Sequence, residues 1–522
     1  MSILIFLLVS YVLLSLSLRP LFVKAGVPAW KALVPGLNFV EWSTIVGQPR
    51  WWALLLLIPI VNIFIYAGMA VDMVRSFKCY KFWQSALAVI YAPLMFFLVD
   101  KDKDASYDGP VVPKEREYKN QLKAARSKND AVAINKLSRS PFHKTGGREW
   151  VESIVFAVFA AAFIRMFLIE AYMIPTPSME GSLLVGDYLF VSKAHYGIRP
   201  PMTVLQIPLL HNRIPIADRE SYLRSPSLPY WRLPSITPVK RNDPVVFNYP
   251  DGDSVYITKE RTYSYHDMQR VPNFNAERSG ITLTTRPVDK KDHYIKRCVG
   301  VPGDTLEIKD RQVYINGMPG ENPENLLFTY SVSSPNGNIN KVKLQEWGVN
   351  MNEIAAGASQ LSLSDKQVEQ VKSLGEGIEV NLMESTSPFP NYYFPHDEKN
   401  FPGWNADNFG PIYVPKAGVT IDISPSNIAL YKRIIEVFEG HTLEIKGNEV
   451  YIDGAPASTY TFAMNYFWMM GDNRHNSEDS RVWGFVPEDH VVGKPLFIWM
   501  STVNGSISNG IRWDRLFTSA LR

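Results

Sequence analysis

His293-Tyr-Ile-Lys-Arg-Cys-Val-Gly-Val-Pro-Gly-Asp-Thr-Leu-Glu-Ile-Lys309, continued by Val313-Tyr-Ile-Asn-Gly-Met-Pro319, sets short apolar strands between a Pro-Gly-Asp turn and an Asn-Gly turn. The hairpin half of this stretch recurs with identical spacing. Gly303-Asp-Thr-Leu-Glu-Ile-Lys309 and Val313-Tyr-Ile-Asn-Gly-Met-Pro319 return as Gly440-His-Thr-Leu-Glu-Ile-Lys446 and Val450-Tyr-Ile-Asp-Gly-Ala-Pro456. Each copy reads as strand, tight turn and strand, closing on Asn-Gly or Asp-Gly, a strong hairpin signal. Outward from the repeat, residues 188–191, 245–249 and 496–500 are further β-rich runs bounded by Pro, Gly, Asn and Asp. Short strands with frequent turn signals predict an antiparallel sheet from about residue 171 to 522, not alternating β and α. Residues 198–238 are Pro-rich and read as long ordered loops across that sheet. The roughly 120 residues between the two hairpins, 321–439, read as a large inserted subdomain.

The first third is different. Of 522 residues 46% are hydrophobic and 20% charged, with 54 Lys and Arg against 51 Asp and Glu. A net charge of +3 makes the chain no polycation for nucleic acid. Two cysteines, Cys79 and Cys298, exclude a disulfide-dense scaffold and a multi-cysteine metal site. The apolar residues crowd into runs at 2–18, 51–71, 83–99 and 151–169. The second run holds 21 uncharged residues, enough to cross a hydrocarbon core ~30 Å thick. The third is broken by Pro93 and the fourth carries Arg165, whose long stem can reach the headgroups from near a helix end. Residues 1–99 therefore form a membrane region of up to three spanning or re-entrant segments, and 150–170 an anchor helix. Between them, residues 114–148 hold ten Lys or Arg against three acids, which marks the linker 100–149 as cytoplasmic. The anchor then exits outward. Arg75, Lys78 and Lys81 are left outside by this topology, so one of the first segments is re-entrant or stops short.

Directly after the anchor comes Met173-Ile-Pro-Thr-Pro-Ser178-Met-Glu-Gly-Ser-Leu-Leu-Val-Gly-Asp187. Two prolines stiffen the backbone around Ser178 and display its hydroxyl. Lys296 stands alone in an apolar strand. Burial disfavours an ammonium, so such a lysine can serve as a neutral amine that takes a serine proton and returns it to a leaving amine. Tyr431-Lys432-Arg433 before the second hairpin imitates Tyr294-Ile-Lys296-Arg297 before the first, and offers a competing lysine. In Met470-Gly-Asp-Asn-Arg-His-Asn-Ser477-Glu-Asp479-Ser-Arg481, Ser477, Asp479 and Arg481 can form a hydrogen-bonded network around a charge-assisted pair.

Taken in this order, with Arg241-Asn-Asp243-Pro-Val-Val-Phe-Asn-Tyr-Pro250 resembling an Arg-Gly-Asp box, these blocks resemble the type I signal peptidases, or leader peptidases. The resemblance covers the anchor helix and the whole soluble part. It implies N-terminal transmembrane helices followed by a mainly antiparallel all-β serine protease domain on the extracytoplasmic face of the cytoplasmic membrane. It implies a Ser/Lys dyad, no metal and no cofactor, a monomer acting on signal-peptide-bearing pre-proteins at the lipid bilayer, and no nucleic acid. Residue by residue, Ser178 matches the nucleophile and Lys296 the general base. Lys432 is passed over because only Lys296 precedes Val-Gly-x-Pro-Gly-Asp. Thr176 with the Ser178 amide matches the oxyanion hole, a donor set that acts on developing negative charge. Ser477 matches a serine orienting the lysine, and Asp479 and Arg481 its structural partners. Tyr172, Ile174, Pro175, Met179, Leu183, Leu189, Val246, Tyr294 and Ile295 match the lining of small P1 and P3 pockets for Ala-x-Ala-like ends. Pro177 departs from the family's Gly, Gly181-Ser182 from its Pro-Thr, and His475 stands where an acid is common. Two other functions compete: a Ser/Lys protease specialised for a particular surface protein such as a pilin, and a non-catalytic membrane-anchored β-rich binding protein.

Overall fold

The apolar runs of the first third fold as helices whose bounds differ from those that hydropathy alone gives. The computed structural model describes residues 2–57, 61–214, 219–257, 262–265, 268, 283–335, 339–350, 353–354, 359–384 and 391–521. Helix Ser2–Lys24 continues six residues past the first run. The second run, 51–71, is not one helix: a single turn, Trp52–Leu55, ends before residues 58–60, which lie outside the described residues, and a new helix covers Val61–Ser76. Helix Phe82–Lys101 contains Pro93 and leaves helical geometry at Tyr91, with φ −155° and ψ 85°. The basic linker carries two helices of its own, Val111–Ser127 and Ala131–Leu137, the second capped by Asp130 accepting from the Ala133 amide. The last is Gly146–Phe167. Among the described residues, Phe82–Lys101 and Glu149–Phe167 are long and apolar enough to cross a membrane.

The chain divides into two compact units, Met1–Ala157 and Val158–Arg522. The first is centred on Trp42, on helix Leu37–Val46. Its ring is fully buried, meets Tyr66 and Phe96 edge-on at 5.7 and 5.3 Å, and donates from Nε1 to the Met69 carbonyl.

The second unit is built on an eight-stranded sheet: β1 Ile169–Met173, β2 Asp187–Ser192, β3 Pro244–Asn248, β4 His293–Gly300, β5 Tyr466–Met470, β6 Val486–Pro487, β7 Val491–Ser501 and β8 Thr518–Ser519. The pairing is antiparallel throughout, in the order β1-β2-β7-β3-β4-β5-β6, with β8 alongside β7. Both faces are covered. Val245 and Phe247 enter a cluster with Met469 and Trp483, while Val246 between them enters another with Met179, Leu189 and Val492. A strand buried on both sides reads as a continuous apolar run, as Val245-Val-Phe does. The Pro-rich segment is largely loop, with residues 215–218 outside the described residues; Arg232 ties it down by donating to the Gly197 and Val491 carbonyls at 2.7 and 2.6 Å.

Both repeats fold as the sequence predicts. Thr305–Lys309 pairs with Gln312–Ile315, and Leu443–Lys446 with Glu449–Ile452. Asn316-Gly317 and Asp453-Gly454 then turn each chain into a third short strand, with φ of +53° and +80° in one and +52° and +80° in the other. Two consecutive positive φ values define the type I′ turn, which is why these dipeptides occur here. Residues 321–439 contain two differently packed parts; 336–338, 351–352, 355–358 and 385–390 lie outside the described residues. Strands Phe328–Ser333, Gln360–Leu363 and Glu379–Leu382 form an antiparallel sheet with helices Lys341–Glu346 and Asp365–Lys372, around a core of Val332, Leu344, Leu363 and Val371. From Phe394 onward the chain instead shares one core with both hairpins and with Trp468 of β5.

Candidate active site

β1 leads out of helix Gly146–Phe167, and the chain then passes through Thr176, extended at φ −128° and ψ 153°, into a single 3-10 turn, Pro177–Met179. Pro177 occupies the first position of that turn, where its fixed φ suits the geometry and its missing N–H would have no partner. The departure from glycine is thus accommodated locally. Ser178 lies at the middle of the turn and is 8% exposed. Lys296 projects from β4, where Val245 of β3 is its register partner and its side chain is shut off from water. Lys296 Nζ donates to Ser178 Oγ at 2.5 Å. Burial pushes this lysine down to about 8, against the opposing pull of Asp479, Glu478 and Asp472. Once neutral, the amine can accept across the same contact. Lys432, by contrast, is exposed and belongs to no strand.

Thr176 is exposed, with Oγ1 3.4 Å from Ser178 Oγ. The loop after β5 closes the other side. Asn473 donates from its amide to the Ser178 carbonyl at 3.1 Å and from Nδ2 to the Pro177 carbonyl at 3.3 Å. Asp479 and Arg481 form a fully buried bidentate pair at 2.9 and 2.7 Å. Burial opposes the charge on Asp479, but Arg481 outweighs it and holds the carboxyl below its ordinary range. Ser477 does not join this network, contrary to the expectation from sequence: its buried Oγ has no hydrogen-bond partner among the described residues. The Asp479 oxygens are already used by the Gly471 and Arg481 amides and the guanidinium. Ser477 instead sits across Gly471 from Ser178. A Cβ on that glycine would fall 2.2 Å from Ser477 Oγ and 2.5 Å from the Ser178 carbonyl oxygen.

The expected pocket residues separate. Ile174, Met179, Leu183, Leu189 and Val246 are buried in one apolar cluster, against which Tyr172 and Ile295 pack. Tyr294 leaves β4 on the opposite face, as strand alternation requires, and stacks on Tyr249 at 4.5 Å. Pro175 is exposed. Cys298 is fully buried in the strand. Asn242, in the middle of the Arg-Asn-Asp box, has φ +67°, a conformation asparagine tolerates in place of glycine. Its neighbours Arg241 and Asp243 bond Asp304 and Lys494 respectively.

Sequence reasoning missed three partners of the reactive turn. Arg297, next to Lys296, makes a buried bidentate pair with Asp472 and reaches Ser182 Oγ at 3.1 Å. An arginine in an apolar strand demands an acid, and that demand was the available signal. Gly181 has φ +101°, and a Cβ there would fall 2.0 Å from the Asn325 carbonyl. Glu180 is buried, bonds Asn350 at 2.6 Å, and is raised to about 7 by burial. Both Asn325 and Asn350 come from distant sequence, which local reading does not reach. His475 donates from Nε2 to Asp407 at 2.7 Å and accepts the Thr329 amide at Nδ1, so it stays within the protein's own hydrogen bonding.

A buried lysine amine held against a serine hydroxyl on an antiparallel β scaffold is the arrangement of a serine hydrolase. The family model described as signal peptidase, peptidase S26, matches residues 147–367 and 458–500, just over half of the chain. The chain belongs to that family and is a serine endopeptidase. It is similar to signal peptidase I of Pseudomonas aeruginosa, 22% identical over 415 residues covering 77% of this chain and 89% of the relative. Signal peptidase I of Haemophilus influenzae is 24% identical over 370 residues, 70% of this chain and 74% of its own. That of Buchnera aphidicola subsp. Baizongia pistaciae is 23% identical over 359 residues, 68% and 77%. Residues 30–110, the Trp42-centred helices, match a family of unknown function (DUF5684).

Proposed function

We propose that this protein removes N-terminal signal peptides from pre-proteins, with Ser178 as nucleophile and neutral Lys296 as general base. The observation that carries the reading is the 2.5 Å contact between a buried amine and a nearly buried serine hydroxyl in a chain of the S26 family. Lys296 takes the Ser178 proton as Oγ attacks the scissile carbonyl. Thr176 and the Ser178 amide stabilise the oxyanion. The ammonium returns the proton to the leaving amine, and a water activated by the same lysine hydrolyses the acyl-enzyme. Met179, Leu183, Leu189, Val246 and Ile295 border the P1 and P3 sites, and their packed setting restricts these to small side chains. Asp479 and Arg481 hold the loop that carries Ser477 and Asn473 against the turn.

Helix Glu149–Phe167 crosses the membrane. Its flanks are bare, Phe156 being 70% exposed, as lipid-facing side chains are. The basic linker 100–149 is cytoplasmic and residues 171–522 are extracytoplasmic, with 321–439 enlarging the protease domain. Tethering enzyme and substrate to one membrane raises their effective concentration.

The pH dependence tests the mechanism. Only the neutral amine is a base, so kcat/KM on a synthetic signal peptide rises tenfold per pH unit up to about 8 and is flat above it. A profile already flat at pH 6 contradicts a lysine base. Thr176→Val is expected to lower kcat by about 10²-fold with KM little changed, and Thr176→Ser to restore most of it. Equal losses in both variants would remove the hydroxyl from the mechanism.

A further inference from the structure

Where helix Gly146–Phe167 passes into β1, the second unit forms a half-open cavity of about 100 Å³, several times the roughly 30 Å³ of one water. Four cations converge on it, Arg165, Lys193, Arg199 and Lys290, against two carboxylates, Glu170 and Asp289. The carboxylates are already engaged. Glu170 takes Arg165 at 2.6 Å, Lys193 at 2.6 Å and the Tyr172 hydroxyl at 2.7 Å. Asp289 takes the Thr203 amide and hydroxyl at 2.9 and 2.8 Å. His211 and His293, also in the lining, add no charge near neutral pH, because burial pushes His211 down to about 4 and His293 well below its ordinary range. The lining itself therefore carries four cations against two carboxylates; Asp489 beside Arg199 offsets one of the cations, and Lys290, only 3% exposed, donates to the Gln206 amide oxygen. Buried charge in excess is costly unless a counter-charge accompanies it.

The rim points to the source of that counter-charge. Ile164 near the helix end, Leu168 and Ile169 just beyond it, and Leu205, Ile207 and Leu209 on the adjoining loop are exposed apolar side chains, all between 39 and 49%. A tetrahedral anion in the cavity and alkyl chains along the rim are the two halves of one amphiphile. We propose that this cavity binds the phosphate of an anionic phospholipid headgroup. This rests on the reading that helix Glu149–Phe167 crosses the membrane, which puts Arg165, near its end, at headgroup depth. The bound lipid fixes the height and tilt of the β domain against the bilayer, since β1 runs from this cavity to the turn that carries Ser178.

The test uses the full chain, delipidated in neutral detergent and titrated with short-chain phosphatidylglycerol, short-chain phosphatidylcholine or inorganic phosphate, with thermal unfolding as the readout. Phosphatidylglycerol is expected to raise the midpoint by several degrees, phosphatidylcholine by less than half as much and inorganic phosphate not at all. In Lys290→Gln the apparent affinity for phosphatidylglycerol falls about tenfold. The solvent-facing variant Leu205→Asp, outside the cavity lining, weakens the lipid response and keeps cleavage of a soluble peptide in detergent. An equal response of wild type and both variants overturns the site. Inorganic phosphate binding as tightly as phosphatidylglycerol overturns the lipid assignment. Extraction of the wild-type chain from membranes by alkaline carbonate would overturn the spanning helix on its own, separately from the titration.

Discussion

Lys296→Ala and Ser178→Ala are each expected to lower kcat/KM on a signal-peptide substrate by at least ~10⁴-fold, with the double variant little worse than either single one. The non-additivity follows from the geometry. In the proposed mechanism the hydroxyl is activated by the buried amine that touches it at 2.5 Å, so losing either group removes the same step. Lys432→Ala is the internal control. It has the same tyrosine and arginine near it in sequence, yet it is exposed and outside the sheet, and its loss is expected to change kcat/KM by less than twofold. Mass spectrometry of the cleaved peptide reads all four proteins. Appreciable turnover by Lys296→Ala would sink the dyad, and a large loss in Lys432→Ala would show that the wrong lysine has been assigned.

Asp479→Ala is expected to cost about 3–5 kcal/mol of folding stability, because it leaves the Arg481 guanidinium, 2% exposed, without its carboxylate. The same change frees the Gly471 amide, which Asp479 accepts at 3.0 Å, so the loop bearing Asn473 loosens against Ser178. Paired replacement by apolar residues, Asp479→Leu with Arg481→Met, is expected to recover much of the stability but not the activity, since the loop's amide contact stays broken. Thermal and denaturant unfolding of the full chain in detergent would decide. A cost below about 1 kcal/mol would mean that water reaches the arginine.

Much of this architecture was legible locally. Turn dipeptides fixed both hairpins, because Asn-Gly and Asp-Gly leave few alternatives to consecutive positive φ. The β3 run likewise marked a strand covered on both faces. What escaped were relations between distant segments. Ser477 lies in the expected loop, yet the oxygens of Asp479 are consumed by amides that no spacing rule reveals. Tyr294 and Ile295 are adjacent in sequence, and strand alternation sends them to different cores. The run 51–71 satisfied the length of a membrane span, yet the chain there forms a single turn, Trp52–Leu55, and a separate helix, Val61–Ser76, a division that hydropathy does not register. The two-part packing of 321–439 depends on which apolar residues meet the hairpins, information held by the fold and not by composition.

Both cysteines of the chain are free and buried, and burial pushes the Cys298 thiol far above its usual range. Thiolate is the form that alkylating reagents attack, so the native protein is nearly silent toward them. That silence is experimentally useful. A single cysteine placed in the basic linker or on the β domain becomes the one fast-reacting thiol, and an impermeant maleimide applied to intact or opened cells then reports which side of the bilayer it occupies.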